Sequence, residues 1–210
     1  MKKCVIFAAA PIPDLSFIRV DFDAMVICAD AGVRYAKALG IEPDLVLGDF
    51  DSCDREESRE FCTVTFPSRK DDTDLMLAVK YGLEAGCDDF VIYGALGGRL
   101  DHTYAAFSAL GYLLDNSKTA RLEDKDNTVR LLGAGEHRIK NDGRYLSLFP
   151  YGCDCIAVSL YGTSYDGQVL LTASFPLGVS NEIVDDEAVI TVFKGEGESR
   201  LLLISSQKDH

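Results

Sequence analysis

The sequence predicts an α/β protein in two parts: an N-terminal layered α/β domain with a mostly parallel sheet over residues 1–126, then a smaller all-β sandwich over 127–210. Three observations carry this. Short apolar runs alternate with helical patterns as far as Asp126. Beyond Asn127 helical periodicity disappears and only short β-type runs remain. The composition, 47% hydrophobic and 26% charged over 210 residues, is that of an ordinary globular chain long enough to bury a substantial core.

The elements follow in order. Strands are predicted at 5–9, 25–29, 45–48, 64–66 and 90–94. The first apolar run follows Lys2 and Lys3 but breaks at Pro11 and Pro13, too short for a bilayer span, so it reads as a strand and not as a signal peptide. A helix opens after Asp30 and ends at Gly40. A second opens near Asp71, which makes a good N-cap, and presents Leu75, Ala78, Val79, Gly82 and Leu83 at helical spacing. A third, 101–114, is apolar almost all round, which predicts deep packing. In the second half, strands are predicted at 129–132, 145–149, 156–160, 169–172, 188–193 and 201–204. Turn signals at Asn141-Asp142-Gly143 and Tyr165-Asp166-Gly167 punctuate them, the rhythm of a small sandwich.

A formal net charge of -13 disfavours attraction to a nucleic acid backbone or an anionic membrane. An anionic nucleotide is still admissible where a divalent cation and a few basic groups neutralise its phosphates. Seven cysteines are an odd number, and Cys4, Cys28, Cys87 and Cys155 lie in or beside apolar runs, which fits reduced thiols in the cytoplasm. Cys153 and Cys155 have neither a nearby histidine nor a second pair to complete a zinc site.

Three acidic segments fall just beyond predicted strands, where open α/β sheets place their ligands. In Gly48-Asp49-Phe50-Asp51-Ser52, Asp49 and Asp51 share a face if the segment is extended, so both can address one cation; helix capping by Asp51 or Ser52 accounts for the pattern equally well. In Lys70-Asp71-Asp72-Thr73-Asp74 the helix dipole explains acidic residues in a first turn, but not the lysine beside them or their number. In Gly94-Ala95-Leu96-Gly97-Gly98-Arg99-Leu100-Asp101-His102, glycines let the backbone approach phosphates and Arg99 offers a planar fork. No Gly-Lys-Ser/Thr follows, so this is not a Walker A loop, and Asp101 as a helix cap and His102 as a packed helix residue stand as alternatives. Jointly, Asp49, Asp51, Asp71, Asp72, Asp74 and Asp101, with Lys70 and Arg99, form an oxygen-only set suited to a hard cation, magnesium or manganese, in a polyphosphate reaction.

With Ala29-Asp30-Ala31-Gly32, Pro43-Asp44-Leu45-Val46-Leu47-Gly48-Asp49-Phe50-Asp51-Ser52, Lys70-Asp71-Asp72-Thr73-Asp74 and Gly97-Gly98-Arg99-Leu100-Asp101-His102 in this order, the sequence resembles the thiamine pyrophosphokinase family. Gly178-Val179-Ser180-Asn181-Glu182 resembles that family's signature near the end of its β domain, so the likeness spans nearly the whole chain. The resemblance implies an ATP-binding α/β domain, a thiamine-binding and dimerising β domain, and a homodimer holding thiamine where the subunits meet. It implies that Asp49, Asp51, Asp71 and Asp74 hold magnesium, and that Asp30, Lys70, Thr73, Arg99 and His102 meet ATP and its phosphates. Asp101 would lie by the transferred group, orienting the thiamine hydroxyl or completing the metal site. Ser180 and Asn181 would hydrogen-bond the aminopyrimidine. The hydroxyl would attack the middle phosphorus of ATP and AMP would leave.

Two departures from the family pattern stand out. Ala31 replaces a glycine of the family's usual Ala-Asp-Gly-Gly, removing backbone freedom. The chain has no tryptophan, so stacking on thiamine falls to tyrosine or phenylalanine, with Tyr165 the candidate and an ordinary hairpin-edge tyrosine its alternative. The rival functions are another magnesium-dependent phosphotransferase or nucleotide hydrolase, which has no need of Ser180 and Asn181, and a non-catalytic nucleotide-sensing module, which has no reason to place Lys70 and Arg99 beside the carboxylates.

Overall fold

The computed structural model describes residues 1–48, 72–195, 197 and 199–208, and the backbone of 63–65. The chain divides into two compact units, Met1–Lys125 and Asp126–His210. In the first, β1 (Lys3–Phe7), β2 (Met25–Ala29), β3 (Leu45–Gly48), β4 (Thr63–Thr65), β5 (Asp89–Tyr93) and β6 (Thr119–Glu123) form a parallel sheet in the order β6-β5-β1-β2-β3-β4. The central strands are buried along nearly their whole length, because a parallel sheet is covered on both faces and cannot alternate apolar with polar residues.

Helices α1 (Val33–Ala38), α2 (Asp74–Glu84) and α3 (Leu100–Asp115) complete this unit. Val33, Tyr35 and Ala36 of α1 pack with Val5, Phe7, Val26, Cys28, Val91 and Tyr93. Helix α2 packs on β1, β2 and β3, where Gly82 lets it come down on the Phe90 ring and the Cys4 thiol. Helix α3 packs on β6 and α2.

The departures from the sequence reading have local causes. The helix expected after Asp30 begins as a single 3-10 turn, Asp30–Gly32, because Asp30 takes a left-handed conformation with φ of 50°. Thr73, not Asp71, caps α2: its hydroxyl accepts the Met76 N–H at 3.2 Å. Helix α3 buries Ala106, Ala109, Leu110 and Leu113, yet leaves Leu100 and Tyr104 of its first turns 81% and 66% exposed, so it is half packed and not deeply packed. Strand β6 was not expected.

In the second unit, β7 (Asn127–Leu132), β9 (Tyr145–Pro150), β12 (Asn181–Glu182) and β14 (Leu201–Ser206) make one antiparallel sheet in the order β12-β9-β14-β7. The others, β8 (Gly135–Lys140), β10 (Cys155–Tyr161), β11 (Gly167–Thr172) and β13 (Glu187–Val192), make a second in the order β11-β10-β13-β8. Leu146, Leu148, Leu201 and Leu203 of the first sheet meet Val158, Leu160, Ile190 and Val192 of the second in one core, a β sandwich. Strands β10 and β13 alternate buried with less buried residues, as one-sided antiparallel strands must. The Tyr165-Asp166-Gly167 signal closes the β10–β11 hairpin, whereas Asn141-Asp142-Gly143 links β8 to β9 in the other sheet. Cys155 opens β10 and is exposed, unlike the other three cysteines placed in or beside apolar runs.

Among the described residues Cys4, Cys28 and Cys87 are buried free thiols, and burial pushes the Cys28 thiol up to about 12, where it is inert. No helix among them is long and apolar enough to cross a membrane.

Candidate active site

Strands β1 to β4 step outward on one side of β1, and the chain then returns to place β5 on its other side. The carboxyl ends of β1 and β5 therefore flank a topological switch point, the position at which open parallel sheets receive ligands. Ala8 N–H donates to the Tyr93 carbonyl and Ala10 N–H to that of Gly94, both at 2.8 Å, so the two strand ends leave the sheet side by side. Gly94 is required there: its φ is +68°, and a Cβ would stand 2.5 Å from the Ala8 carbonyl oxygen.

A pocket opens at this place. Ala8, Ala9 and Ala10 line it just after β1, Ala29 and Asp30 where β2 passes into the 3-10 turn, and Gly94 and Ala95 just after β5. Thr73, Asp74 and Leu75 close it from the start of α2, and His102 and Ala105 from the first turns of α3. The strand-end residues are almost all alanine or glycine, which leaves backbone and space, while the polar groups come from Asp30, Thr73, Asp74 and His102.

The four polar groups were all candidates from sequence, and they come together from three separate stretches of chain. Asp49, Asp51, Lys70 and Asp71 lie outside the described residues. Asp72 is turned elsewhere: its carboxylate accepts from Lys80 at 2.6 Å, one helix face along α2. Among the described residues no three His, Cys, Asp or Glu side chains gather as a metal site. The donors on the pocket, Asp30 and Asp74, are carboxylates, the chemistry that a hard cation takes.

Arg99 and Asp101 pair with each other at the start of α3. Arg99 Nε donates to Oδ1 at 3.1 Å and Nη2 to Oδ2 at 2.6 Å, a two-oxygen grip. The Arg99 guanidinium holds the Asp101 carboxyl below the usual carboxylate range. Asp101 is not the cap of α3; Arg99 occupies that position and makes no side-chain capping bond.

In the second unit Ser180 is exposed and left-handed, with φ of 57°, and its N–H donates to Ser147 Oγ at 3.1 Å. Asn181 is only 6% exposed. Its Oδ1 accepts from the N–H groups of Tyr165 and Glu182 at 3.1 and 2.8 Å, and its Nδ2 donates to the Tyr165 carbonyl at 3.4 Å. Asp166 Oδ1 takes the Thr163 N–H at 2.7 Å and the Thr163 hydroxyl at 3.0 Å. The turn is thus fixed on both sides, and Tyr165 projects from it, 75% exposed. The sequence reading did not see that Asn181 braces Tyr165, since the two lie sixteen residues apart.

Family models match both halves of the chain: the catalytic domain of thiamin pyrophosphokinase over residues 20–122, and its vitamin B1 binding domain over 136–195. A thiamine pyrophosphokinase of Bacillus subtilis (strain 168) is 32% identical over 206 residues, covering 93% of this chain and 96% of that protein. The chain belongs to the thiamine pyrophosphokinase family. The crystal structure of a thiamine pyrophosphokinase from Bacillus subtilis superposes with a TM-score of 0.87 at 29% identity, covering 99% of this chain and 100% of that one. Thiamin pyrophosphokinase from Candida albicans, at 16% identity, shares the fold with a TM-score of 0.77 over 98% of this chain and 90% of its own. The match to the family's catalytic domain spans every described polar residue lining the pocket.

Missed from sequence were the three alanines after β1, which form one wall. The signal was present: three small residues in succession at a strand end, where larger ones would fill the switch-point crevice.

Proposed function

We propose that this family member transfers diphosphate from ATP to the hydroxyl of thiamine, giving thiamine diphosphate and AMP. The observation that carries the reading is the switch-point pocket, where Asp30, Thr73, Asp74 and His102 of the family's motifs meet over an alanine-lined floor. The first unit is then the ATP-binding catalytic domain, and the second the thiamine-binding and dimerising domain.

The thiamine oxygen forms a bond to the middle phosphorus of ATP while the bond from that phosphorus to the oxygen bridging it to AMP breaks. The hydroxyl proton leaves to a carboxylate or to water. Asp74, with Asp49, Asp51 and Asp71, would hold magnesium, or manganese in its place, which when bound neutralises phosphate charge and steadies the leaving oxygen. Thr73 and the first turn of α2 present N–H groups and a favourable dipole toward phosphate oxygens. His102 and Lys70 add donors. Arg99 already grips two carboxylate oxygens of Asp101 in the planar geometry that suits a phosphate, so nucleotide entry would transfer its fork from one to the other. Asp101, released as the fork moves, would orient the thiamine hydroxyl or complete the metal site.

Tyr165, held by Asn181, would stack on thiamine, with Ser180 reaching the aminopyrimidine from its exposed position. Asn181 would take part chiefly through the turn it braces. Tyr161, Leu170, Phe175 and Leu177 are exposed on the same unit and support an interface with a second copy. Buried free thiols support a cytoplasmic setting.

The deciding experiment incubates the protein with ATP, magnesium and thiamine and identifies products. Equal amounts of AMP and thiamine diphosphate are expected. ADP would indicate simple phosphoryl transfer, and turnover of ATP without thiamine would indicate a hydrolase. A second measurement addresses the ring: Tyr165→Ala is expected to raise KM for thiamine by about fivefold, the worth of one aromatic contact, with KM for ATP unchanged. An unaltered thiamine KM would remove Tyr165 from the site.

A further inference from the structure

The loop leaving β1 loses its ladder partners quickly. After Ala10 N–H the bonds between the β1 and β5 ends stop, and Pro11 and Pro13 have no N–H to offer. Ala8–Ala10 forms one wall of the pocket; the Ala8 and Ala10 N–H groups tie it to the β5 end, which leaves the Ala9 and Ala10 carbonyls and the chain beyond them to be held from another side.

That role falls to two consecutive side chains of α1. The Tyr35 hydroxyl donates to the Ala10 carbonyl at 2.7 Å and accepts the Ile12 N–H at 3.0 Å and Arg34 Nη2 at 2.7 Å, so its one hydrogen and both lone pairs are in use. Arg34 Nη2 also donates to the Ala9 carbonyl at 2.8 Å. The Arg34 guanidinium carbon stands 4.7 Å from the centre of the Tyr35 ring, which is itself buried in the apolar cluster with Phe7 and Val33. Helix α1 begins at Val33, directly after the 3-10 turn that opens with Asp30, and Asp30 lines the pocket at the end of β2. One short stretch of chain therefore carries Asp30 on one wall and the clamp that fixes the other.

We propose that Tyr35 and Arg34 are positioning residues for the nucleotide: they hold the Ala8–Ala10 wall at the spacing from Asp30 that ATP requires. This rests on the nucleotide reading of the pocket. Neither side chain lines the pocket. The clamp works by preorganisation: with it, the wall is ordered before ATP arrives; without it, part of the binding energy is spent ordering the loop. Thiamine affinity and the chemical step are untouched, because no group on either is removed.

The test is steady-state kinetics of the full chain with each substrate varied in turn. Tyr35→Phe keeps the buried ring and removes only the hydroxyl. It is expected to raise KM for ATP by about tenfold, with kcat and KM for thiamine within about twofold of wild type. AMP should inhibit the variant more weakly by a similar factor. Arg34→Ala is expected to give the same selective change at about threefold; Arg34 is exposed, so this variant decides the matter if Tyr35→Phe folds poorly. An unchanged ATP KM in both variants overturns the clamp, as does an equal rise in both substrates' KM. Wild-type protein that forms no thiamine diphosphate sinks the functional reading instead, a result separable from any behaviour of the variants.

Discussion

Asp74→Asn is expected to lower kcat by about a hundredfold or more while the protein stays folded. Asp74 is the first residue of α2 and lines the pocket. The amide keeps the size of the side chain and one acceptor oxygen, but removes the charge that would face a cation and a polyphosphate. Helix stability should change little, because the cap of α2 is the Thr73 hydroxyl on Met76 N–H and does not depend on Asp74. The neighbouring substitution supplies the control. Asp72→Asn weakens an ion pair with Lys80 that is partly exposed, and is expected to keep turnover within about threefold. Rate measurement by AMP release, with thermal melting of both variants, checks the pair. Equal losses in Asp72→Asn and Asp74→Asn would show that the segment acts only through its summed charge; a wild-type rate in Asp74→Asn would take it out of the site altogether.

That contrast marks where sequence reasoning stops. In Lys70-Asp71-Asp72-Thr73-Asp74 the residue types suggest a polyphosphate site, but they do not choose among Asp71, Asp72 and Asp74; the resemblance alone sets Asp72 aside, without a physical reason. The helix start supplies that reason for Asp72 and Asp74: with Thr73 as the cap, Asp74 enters the first turn toward the pocket, while Asp72 falls outside the helix where the long side chain of Lys80 reaches back to it. The same holds for elements. The strands of the first unit were legible because strands buried on both faces read as unbroken apolar runs, as Val5-Ile6-Phe7 and Val26-Ile27-Cys28-Ala29 do. Strand β6, with the sequence Thr-Ala-Arg-Leu-Glu, buries only Leu122 fully, and β8, Gly-Glu-His-Arg-Ile-Lys, buries none of its residues fully. Neither has an apolar run; their partners β5 and β13 define them. The bracing of Tyr165 by Asn181 was hidden for a related reason. An asparagine beside a serine in a motif reads as a ligand donor, whereas a buried amide must satisfy its own hydrogen bonds first, and here it does so on a backbone sixteen residues away.

Gly32→Ala is expected to destabilise the protein by about 3 kcal/mol or more, the range of a core position that cannot accommodate added volume. A Cβ at Gly32 would lie 1.9 Å from the Phe7 carbonyl oxygen and 2.5 Å from its carbon. Phe7 cannot yield easily, since it ends the central strand and is registered against Cys28 of β2 on one side and Tyr93 of β5 on the other. Moving it would break the ladder that sets the switch point, so the pocket would be lost with the stability. The adjacent residue behaves differently. Ala31 stands where the family often has glycine, yet it is not among the residues with positive φ; the left-handed position in this turn is Asp30. Ala31→Gly is therefore expected to change stability by less than about 1 kcal/mol, in the unfavourable direction, by freeing the unfolded chain. Urea titration of both variants checks the difference, with a midpoint far below wild type for Gly32→Ala, close to wild type for Ala31→Gly, and an unchanged slope in each. If Gly32→Ala unfolds at the wild-type midpoint, the close approach of the turn to β1 is not what requires glycine there. The expected outcome would show that the motif needs its second glycine for packing, while the first is open to replacement wherever the backbone stays out of the left-handed region.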